Sequence, residues 1–262
     1  MSGFIDQITP VVLSYNEAPN IRRCLEQLTW AKTVVVIDSG STDSTAQIVA
    51  AFPNAILALR PFDNHTNQWN YGTGLAGTGW VLSLDADYIL NEAFVAELRA
   101  LSPAAEESAC FASFRYCIGG KPLTGSLYPP RAVLFRKERC HYIPDGHTQL
   151  LQIRGPTLNL QNKIDHDDRK PLSRWLASQI KYSELEAGHL LTAPAAALGR
   201  IDRWRARAWI MPFLAPWYCI LWKGLWRNGL AGWHYTLQRW LAECMIALAV
   251  ADRRLLKQDE GK

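Results

Sequence analysis

The stretch Val81-Leu82-Ser83-Leu84-Asp85-Ala86-Asp87-Tyr88 decides the fold prediction for this chain. Four residues that suit a buried strand run directly into two aspartates separated by one small residue. Because side chains alternate along a strand, Asp85 and Asp87 should point to the same side at the strand's end. Neighbouring carboxylates favour a cation, and Mg²⁺ or Mn²⁺ is often held by one or two carboxylates together with substrate phosphates. The alternative is that Asp87 caps a helix beginning near Asn91 and that Asp85 lies in a turn.

Two further apolar runs precede this stretch, and a polar cluster follows each of them. The runs are residues 9–14 and 33–37, the clusters are 14–17 and 38–43, and residues with helical spacing separate the runs. A strand–helix repeat predicts a parallel sheet, in which ligands bind beyond the carboxyl ends of the strands. The three polar clusters should therefore share one sheet edge, although each alone could be a turn or a helix cap, with Asn16 and Asp43 as candidate caps.

The composition indicates a chain with a large core and reduced thiols. Of the 262 residues 48% are hydrophobic and 20% are charged, which excludes general disorder. The six cysteines show neither a CxxC pair nor metal-finger spacing, so we expect buried thiols in a cytosolic protein. The start MSGFIDQITP has no basic, apolar character, and we therefore expect no secretory signal.

Charge and tryptophan divide the chain into two parts. From residue 171 onward there are 13 Lys/Arg and 7 Asp/Glu, whereas the preceding residues carry 15 and 17. Eight of the 11 tryptophans also lie beyond residue 170. The contrast predicts two parts with different tasks, a slightly acidic domain over residues 1–170 and a basic, Trp-rich helical extension over residues 171–262.

Three of these segments carry a family resemblance. Residues 11–17 (VVLSYNE), 36–43 (VIDSGSTD) and 84–87 (LDAD) are similar, in order and spacing, to family 2 glycosyltransferases of the GT-A fold over about the first hundred residues. The nearest likeness is to bacterial enzymes that add sugars to lipopolysaccharide core, capsule or other envelope polysaccharides. The resemblance implies an α/β fold with a Rossmann-like, mainly parallel central sheet and flanking helices. It also implies inverting transfer from a nucleotide-diphosphate sugar.

The resemblance also implies roles for residues that would bind the nucleotide. Tyr15 would stack on the base, Asp38 would accept a hydrogen bond from a uracil ring N–H, and Glu17 would shape the pocket. The Asp38 contact favours a uridine donor. Gln68 and Asn70 match the place of a further polar contact to the nucleotide, and their alternative is a plain polar loop.

A metal site follows from the same resemblance. Asp85 and Asp87 would bind the ribose and a Mg²⁺ or Mn²⁺ that bridges the diphosphate and neutralises charge on the departing nucleotide. His166 matches the late histidine that many GT-A enzymes supply to the metal. The alternative for its surroundings is a helix cap, formed by Asp167 or Asp168.

The acceptor side is less constrained by the sequence. Arg131 could clamp a phosphate or an acceptor carboxylate, or could be an ordinary surface arginine. Inverting transfer needs a general base, and the Val-His-Glu of the commonest relatives is absent. Asp145 is the candidate that keeps the carboxylate chemistry, and His147 could orient it, bind the acceptor or act itself. An Asp-Gly turn is the alternative for Asp145.

The extension has the composition of a membrane-interface segment. Residues 208–222 carry no charge, but they include two prolines and fall short of the roughly 20 apolar residues that a spanning helix needs. Tryptophan and tyrosine with basic flanks favour a segment lying on the cytoplasmic leaflet, with a further helix over residues 237–255 packed on it. An aromatic core with basic rims is the alternative. Nucleic acid is a disfavoured partner, because the residues between the cations are too apolar.

Two classes of function compete. The first is a metal-dependent sugar transferase, peripheral on the inner membrane, with a UDP-sugar donor and a lipid-linked or lipopolysaccharide-type glycan acceptor. The second is a catalytically lapsed nucleotide-sugar-binding or scaffold protein, because the base motif is absent and Tyr88 stands where relatives often have Glu. A nucleotidyltransferase is disfavoured, because no Gly-rich loop with Lys or Arg follows the first strand.

Overall fold

Strands and helices alternate along the amino-terminal part of the chain. The computed structural model describes residues 3–145, 148–194 and 196–259. Its first elements are β1 (Ile8–Ser14), α1 (Ile21–Glu26), β2 (Val34–Asp38), α2 (Thr45–Ala50), β3 (Ala55–Leu59), α3 (His65–Leu75) and β4 (Trp80–Asp85). The strands β4, β1, β2 and β3 lie side by side and parallel in that order. Nearly all residues of β1, β2 and β4 are buried, as in strands that are covered on both faces.

Antiparallel pairing extends this sheet beyond β4. The next elements are β5 (Tyr88–Ile89), α4 (Glu92–Ala100), β6 (Ala109–Ala112), β7 (Phe114–Ile118), β8 (Lys121–Pro122), β9 (Arg131–Arg136), β10 (Cys140–Asp145), β11 (Thr148–Ile153), β12 (Thr157–Asn159) and β13 (Ile164–His166). β9 lies antiparallel between β4 and β6, and β12 runs parallel to β6. The main sheet has the order β12-β6-β9-β4-β1-β2-β3, so the predicted α/β class with a mainly parallel sheet is confirmed.

The sequence pattern of residues 110–118 predicts one strand, and that prediction is wrong. β6 ends at Ala112 in the main sheet, whereas β7 begins at Phe114 and pairs in parallel with β13. The chain changes sheet at Ser113, whose carbonyl accepts a hydrogen bond from the Ile164 backbone N–H at 3.1 Å. β13 also pairs with β5, so that His166 lies opposite Tyr88. The strand break therefore brings a late histidine beside the residues that follow β4.

The core contains most of the cysteines, whose burial was predicted from the sequence. Its largest fully buried side chains include Trp80 and Phe94, packed with the apolar residues of β1, β2 and β4. All six cysteines are free thiols, and five of them are buried. Burial raises the pKa of Cys140 to about 11, which keeps this thiol protonated and unreactive at neutral pH.

The remaining elements are helical. They are α5 (Leu172–Thr192), α6 (Arg200–Ala206), α7 (Ile210–Trp217) with a π-helical turn at Tyr218–Trp222, a 3-10 turn at Leu225–Asn228, and α8 (Gly229–Asp259). By packing, the chain divides into two compact units, Met1–Gly120 with Leu127–Arg169 and Lys121–Ser126 with Lys170–Lys262. The functional division proposed from the sequence, with its boundary after residue 170, stays a prediction.

The last helix is longer than the sequence predicts. Apolar periodicity gives a helix over residues 237–255, whereas α8 begins at Gly229. Gly229 has a φ of +53°, which glycine adopts readily, and this lets the helix start directly after the 3-10 turn. Gly232 allows that turn to pack on the helix, because a β-carbon there would collide with the Leu225 carbonyl oxygen. Among the described helices, none combines the length and the apolar character needed to cross a membrane.

Candidate active site at the carboxyl edge of the sheet

The carboxyl ends of β1, β2 and β4 meet in register. Ser14 pairs with Asp38 across β1 and β2, and Leu13 pairs with Asp85 across β1 and β4. The polar clusters that follow these strands therefore share one sheet edge, which is where ligands bind in open α/β sheets.

The loops after β1 and β2 are bonded to each other. Asn16, in a left-handed conformation with a φ of +53°, accepts a hydrogen bond from the Thr42 N–H at 2.7 Å through Oδ1. Its own N–H donates to the Ser41 hydroxyl at 2.7 Å. Asp43 accepts from the Ala18 N–H at 3.1 Å. Asn16 and Asp43 therefore link the two loops, and neither acts simply as a helix cap.

Asp38 organises the turn after β2. Its carboxylate is 1% exposed and accepts hydrogen bonds from the Ser14 hydroxyl at 2.9 Å and the Gly40 N–H at 3.0 Å. The N–H and hydroxyl of Ser41 donate to it as well, at 2.7 and 2.5 Å. The protein's own donors thus contact both carboxylate oxygens. The uracil contact of Asp38 stays a prediction.

Tyr15 and Glu17 lie in the loop directly after β1. The Tyr15 side chain is 52% exposed, which leaves ring surface available for stacking. The Glu17 carboxylate accepts a hydrogen bond from the Asn20 amide at 2.8 Å, and its backbone N–H donates to the Thr45 hydroxyl at 2.8 Å. Their roles toward a nucleotide stay predictions.

Gln68 and Asn70 lie on α3, so the alternative of a plain polar loop is wrong. Gln68 is buried and donates to the Ser39 hydroxyl at 2.9 Å and to the Arg60 carbonyl at 3.1 Å. Asn70 donates to the Tyr142 carbonyl at 2.8 Å and accepts from the Tyr142 N–H at 3.0 Å. The two amides connect α3 to the loop after β2 and to β10. A direct contact to a nucleotide stays a prediction for both.

Asp85, Asp87 and His166 come together beyond β4. Asp85 ends that strand, Asp87 is buried after it, and His166 Nε2 lies 3.4 Å from Asp87 Oδ2. The cap of α4 is Asn91, whose side-chain oxygen accepts from the Phe94 N–H at 3.0 Å, so the alternative role of Asp87 as a helix cap is wrong.

The electrostatics of this cluster favour a cation. Burial and the neighbouring charge of Asp87 raise the pKa of Asp85. Burial opposes the charged form of His166, but the charges of Asp87 and Asp85 outweigh that effect and raise the pKa of His166 above its ordinary value. Both shifts reflect excess negative charge in a poorly solvated place, which a bound cation would relieve.

The side chains fit a metal site that leaves ligand positions for phosphate or water better than one filled entirely by protein ligands. Within residues 3–145, 148–194 and 196–259, no three His, Cys, Asp or Glu side chains form a ready-made metal cluster. The Nδ1 atom of His166 is buried without a hydrogen bond to any described residue, whereas Nε2 of the same ring faces Asp87. Such a donor set suits Mg²⁺ or Mn²⁺, which take part of their oxygen ligands from phosphates and water.

A network of ion pairs holds the end of β13. Asp167 is 5% exposed. Its carboxylate accepts hydrogen bonds from Arg23 at 2.7 Å, from Arg169 at 2.8 Å and from the Gly120 N–H at 3.0 Å. Although burial opposes the shift, these donors lower the pKa of Asp167. The buried Asn20 donates to Asp168 at 2.9 Å.

This network overturns the alternative of a helix cap for Asp167 or Asp168. α5 begins after Pro171 with no side-chain capping bond, and both aspartates bond to the region of α1 instead. Asn20 and Arg23 were not predicted from the sequence as supports of the site. They lie 148 and 144 residues before their aspartate partners, so no local pattern could identify them.

Tyr88 is a third residue that the sequence did not assign to the site. Its hydroxyl lies 2.5 Å from the Tyr128 hydroxyl, and Tyr88 opposes the rise in the pKa of Asp85. Arg131 places its guanidinium 5.0 Å from the centre of the Tyr128 ring, and its charge opposes the rise in the pKa of Asp85. Arg131 therefore lies close to the acidic cluster. The departure from Glu at position 88 therefore puts a hydroxyl group, and not a further carboxylate, in the surroundings of Asp85.

We expect Tyr88→Phe to weaken Mn²⁺ and donor binding about tenfold or more, because Tyr88 favours the charged form of Asp85 and a polar contact to a charged group is worth about 1.5–3 kcal/mol. Titration of Mn²⁺ into the protein, followed by electron paramagnetic resonance, would measure the affinity directly. Tyr182→Phe, on an exposed part of α5, is the matched control. An unchanged Mn²⁺ affinity in Tyr88→Phe would show that the hydroxyl does not support the site.

Comparison with known proteins agrees with this architecture. Residues 10–153 match the family described as glycosyl transferase family 2. The lipopolysaccharide core biosynthesis glycosyltransferase LpsC of Rhizobium meliloti is 24% identical over 95% of this chain and 94% of that protein. The succinoglycan biosynthesis protein ExoO of the same organism is 33% identical, but over only 32% of this chain and 26% of its own length.

A solved structure extends the likeness to most of the fold. The crystal structure of S. aureus TarS with UDP-GlcNAc superposes with a TM-score of 0.51 at 14% identity, covering 95% of this chain and 92% of that one. The GT-A architecture expected from the resemblance is thereby confirmed. Because the family match spans more than half of the 262 residues, this chain belongs to glycosyl transferase family 2.

Proposed function

We propose that this chain is an inverting, metal-dependent transferase that moves a sugar from a UDP-sugar to an envelope glycan. The observation that carries the proposal is the position of Asp85 and Asp87, next to His166, at the carboxyl edge of a parallel sheet. Tyr15 directly follows β1 and Asp38 is the last residue of β2, so both lie at the same edge, as a nucleotide site in this fold requires.

The relatives suggest the donor and acceptor classes. TarS, which shares the fold, was crystallised with UDP-GlcNAc, and LpsC takes part in lipopolysaccharide core biosynthesis. We therefore propose a UDP-sugar donor and a lipid-linked or lipopolysaccharide-type glycan acceptor. Such acceptors place the enzyme at the cytoplasmic face of the inner membrane.

Each residue of the donor side has a proposed part in the reaction. Asp85, Asp87 and His166 would hold Mg²⁺ or Mn²⁺, which when bound neutralises charge on the departing diphosphate. Tyr15 stacks on the base and Asp38 selects uracil. Glu17 shapes the pocket, Gln68 and Asn70 support or contact the nucleotide, and Arg131 binds a phosphate or carboxylate at the acceptor side.

Asp145 is the proposed general base, which would take the proton from the attacking hydroxyl. It ends β10, and its side chain, like the whole of His147, lies outside the described residues. β10 itself is well anchored. The rings of Tyr142 and Trp69 stack with their centres 5.6 Å apart, and the Tyr142 carbonyl accepts a hydrogen bond from Asn70. A carboxylate at the end of this strand would therefore have a fixed support.

UDP should stabilise the protein in the presence of Mn²⁺. At about 100 times its Kd, a ligand of the native state raises the free energy of unfolding by about 2.7 kcal/mol. For a protein of this size we expect the melting temperature to rise by about 5 °C or more. CDP and GDP are the matched controls for uracil selection. Equal shifts with all three nucleotides, or no shift with UDP, would contradict the proposed donor.

Replacing Asp145 by asparagine should lower the release of UDP from a UDP-sugar about a hundredfold, because a positioned base contributes about 10²–10⁴. The affinity for UDP should stay unchanged, since the donor half of the site is intact. His147→Ala tests the other candidate in the same assay. If His147→Ala loses turnover while Asp145→Asn keeps it, the base is assigned wrongly. A wild-type protein that binds a UDP-sugar tightly but never turns it over would be a binding or scaffold protein.

A further inference from the structure

The helices after residue 208 expose two rows of large apolar side chains. The first row is Trp209, Phe213, Trp217 and Leu221, spaced four residues apart along α7 and the π-helical turn. The second row follows helical spacing along α8 and consists of Leu230, Trp233, Leu237 and Trp240. We call these eight residues, together with Trp222 and Trp226, the aromatic face. Trp222 is 80% exposed and Leu230 is 86% exposed.

The aromatic face is not the core side of its helices. On α8 the buried residues include Ala231, Tyr235 and Ala242, which fall between the exposed ones. Ala215, Cys219 and Ile220 are buried in the α7 segment. These helices therefore bury one side and leave a second apolar side in contact with water. Exposed patches of this kind mark an interaction surface.

Cations accompany the aromatic face, and carboxylates do not. Residues 208–242 contain Lys223, Arg227 and Arg239 and no Asp or Glu. The Lys223 ammonium lies 5.6 Å from the centre of the Tyr218 ring, and the Arg227 guanidinium lies 5.1 Å from that of Trp226. Positive charge is thus placed directly on the exposed rings. The partner should consequently be apolar and negatively charged.

We infer that the aromatic face docks on the surface of an anionic phospholipid bilayer. Tryptophan rings prefer the depth of the headgroups, and nearby Lys and Arg are attracted by anionic lipid. A second copy of the chain fits less well, because a two-fold interface would bring this face against itself and its cations against like cations. The face lies on the bilayer, since no described helix has the length and apolar character to cross it. The inference does not rest on the donor chemistry.

Vesicle flotation of the full-length protein tests the inference. We expect binding to vesicles of phosphatidylglycerol and phosphatidylethanolamine, weaker binding at high salt, and little binding to phosphatidylcholine alone. Lys223→Glu combined with Arg227→Glu should weaken binding to the anionic vesicles at least about 30-fold, since each basic residue near such a surface contributes about 1 kcal/mol. Trp217→Ser combined with Trp222→Ser should weaken binding to the same vesicles even at low salt.

Matched controls come from the other compact unit. Lys32→Glu changes a side chain that is 74% exposed, and Ile56→Ser changes an exposed apolar residue, so both should leave vesicle binding unchanged. Circular dichroism would check that all variants are folded. The inference is overturned if wild-type protein ignores anionic vesicles at low salt or if the variants of the aromatic face bind like wild type. A dimer that the Trp217 and Trp222 variants dissociate, without vesicle binding by the wild type, would overturn it as well.

Discussion

Asp87→Asn is expected to lower the turnover of a UDP-sugar by about a thousandfold, the upper range for losing one preorganised electrostatic contact to the developing charge. Asparagine keeps the shape of aspartate but removes the charge that would hold Mg²⁺ or Mn²⁺. Asp87 is buried, and its Oδ2 lies 3.4 Å from Nε2 of His166. A carboxylate elsewhere in the site would not occupy the same place beside the metal. Asp85 would remain, but a single carboxylate binds a divalent ion weakly.

Two measurements separate this effect from misfolding. Mn²⁺ binding followed by electron paramagnetic resonance should weaken in Asp87→Asn, while the melting temperature without metal should stay level or rise, because the variant relieves carboxylate repulsion. Asp252→Asn, an exposed aspartate on α8, is the matched control and should behave like wild type. Normal turnover in Asp87→Asn would rule out the metal mechanism proposed here.

Glu243→Ala is expected to lower the free energy of unfolding by about 3 kcal/mol, because it removes one partner of a buried ion pair. Glu243 is 3% exposed and accepts from Arg205 Nη2 at 2.6 Å and from its Nε at 3.0 Å. Burial opposes the charge of Arg205, but its bonds to Glu243 and the charge of Glu186 raise the pKa of Arg205. Without Glu243, the acidic partners left to the guanidinium among the described residues would be Glu186 at 3.3 Å and Asp202 at 3.9 Å.

Chemical denaturation of wild type and variant would measure the loss. Glu184→Ala provides the control, since Glu184 pairs with Arg253 at 2.8 Å but is 56% exposed, and such pairs contribute about 1 kcal/mol or less. A loss in Glu243→Ala no larger than in Glu184→Ala would mean that the buried pair does not stabilise the helices. Donor binding should change little, because both glutamates belong to the compact unit that does not contain Asp85 and Asp87.

Much of the fold follows from local sequence. The strands β1, β2 and β4 are continuous apolar runs, and α1 has regular apolar spacing, so the type and order of these elements are readable without a structure. The polar helix α3 was not predicted. Parallel order then places Ser14, Asp38 and Asp85 at one edge. The donor side of the candidate site could be predicted for this reason, since its residues follow directly from the ends of strands.

Tertiary structure decided what depends on pairing between distant segments. The strand change at Ser113, which brings His166 beside Tyr88, leaves no mark in the apolar pattern of residues 110–118. The bonds of Asn20 to Asp168 and of Arg23 to Asp167 join residues more than 140 positions apart. From the sequence, Tyr88 is only a departure from relatives, and only the structure shows that its hydroxyl pairs with that of Tyr128. Apolar periodicity records which side of an element is buried, but it does not record which polar side chains meet across the fold.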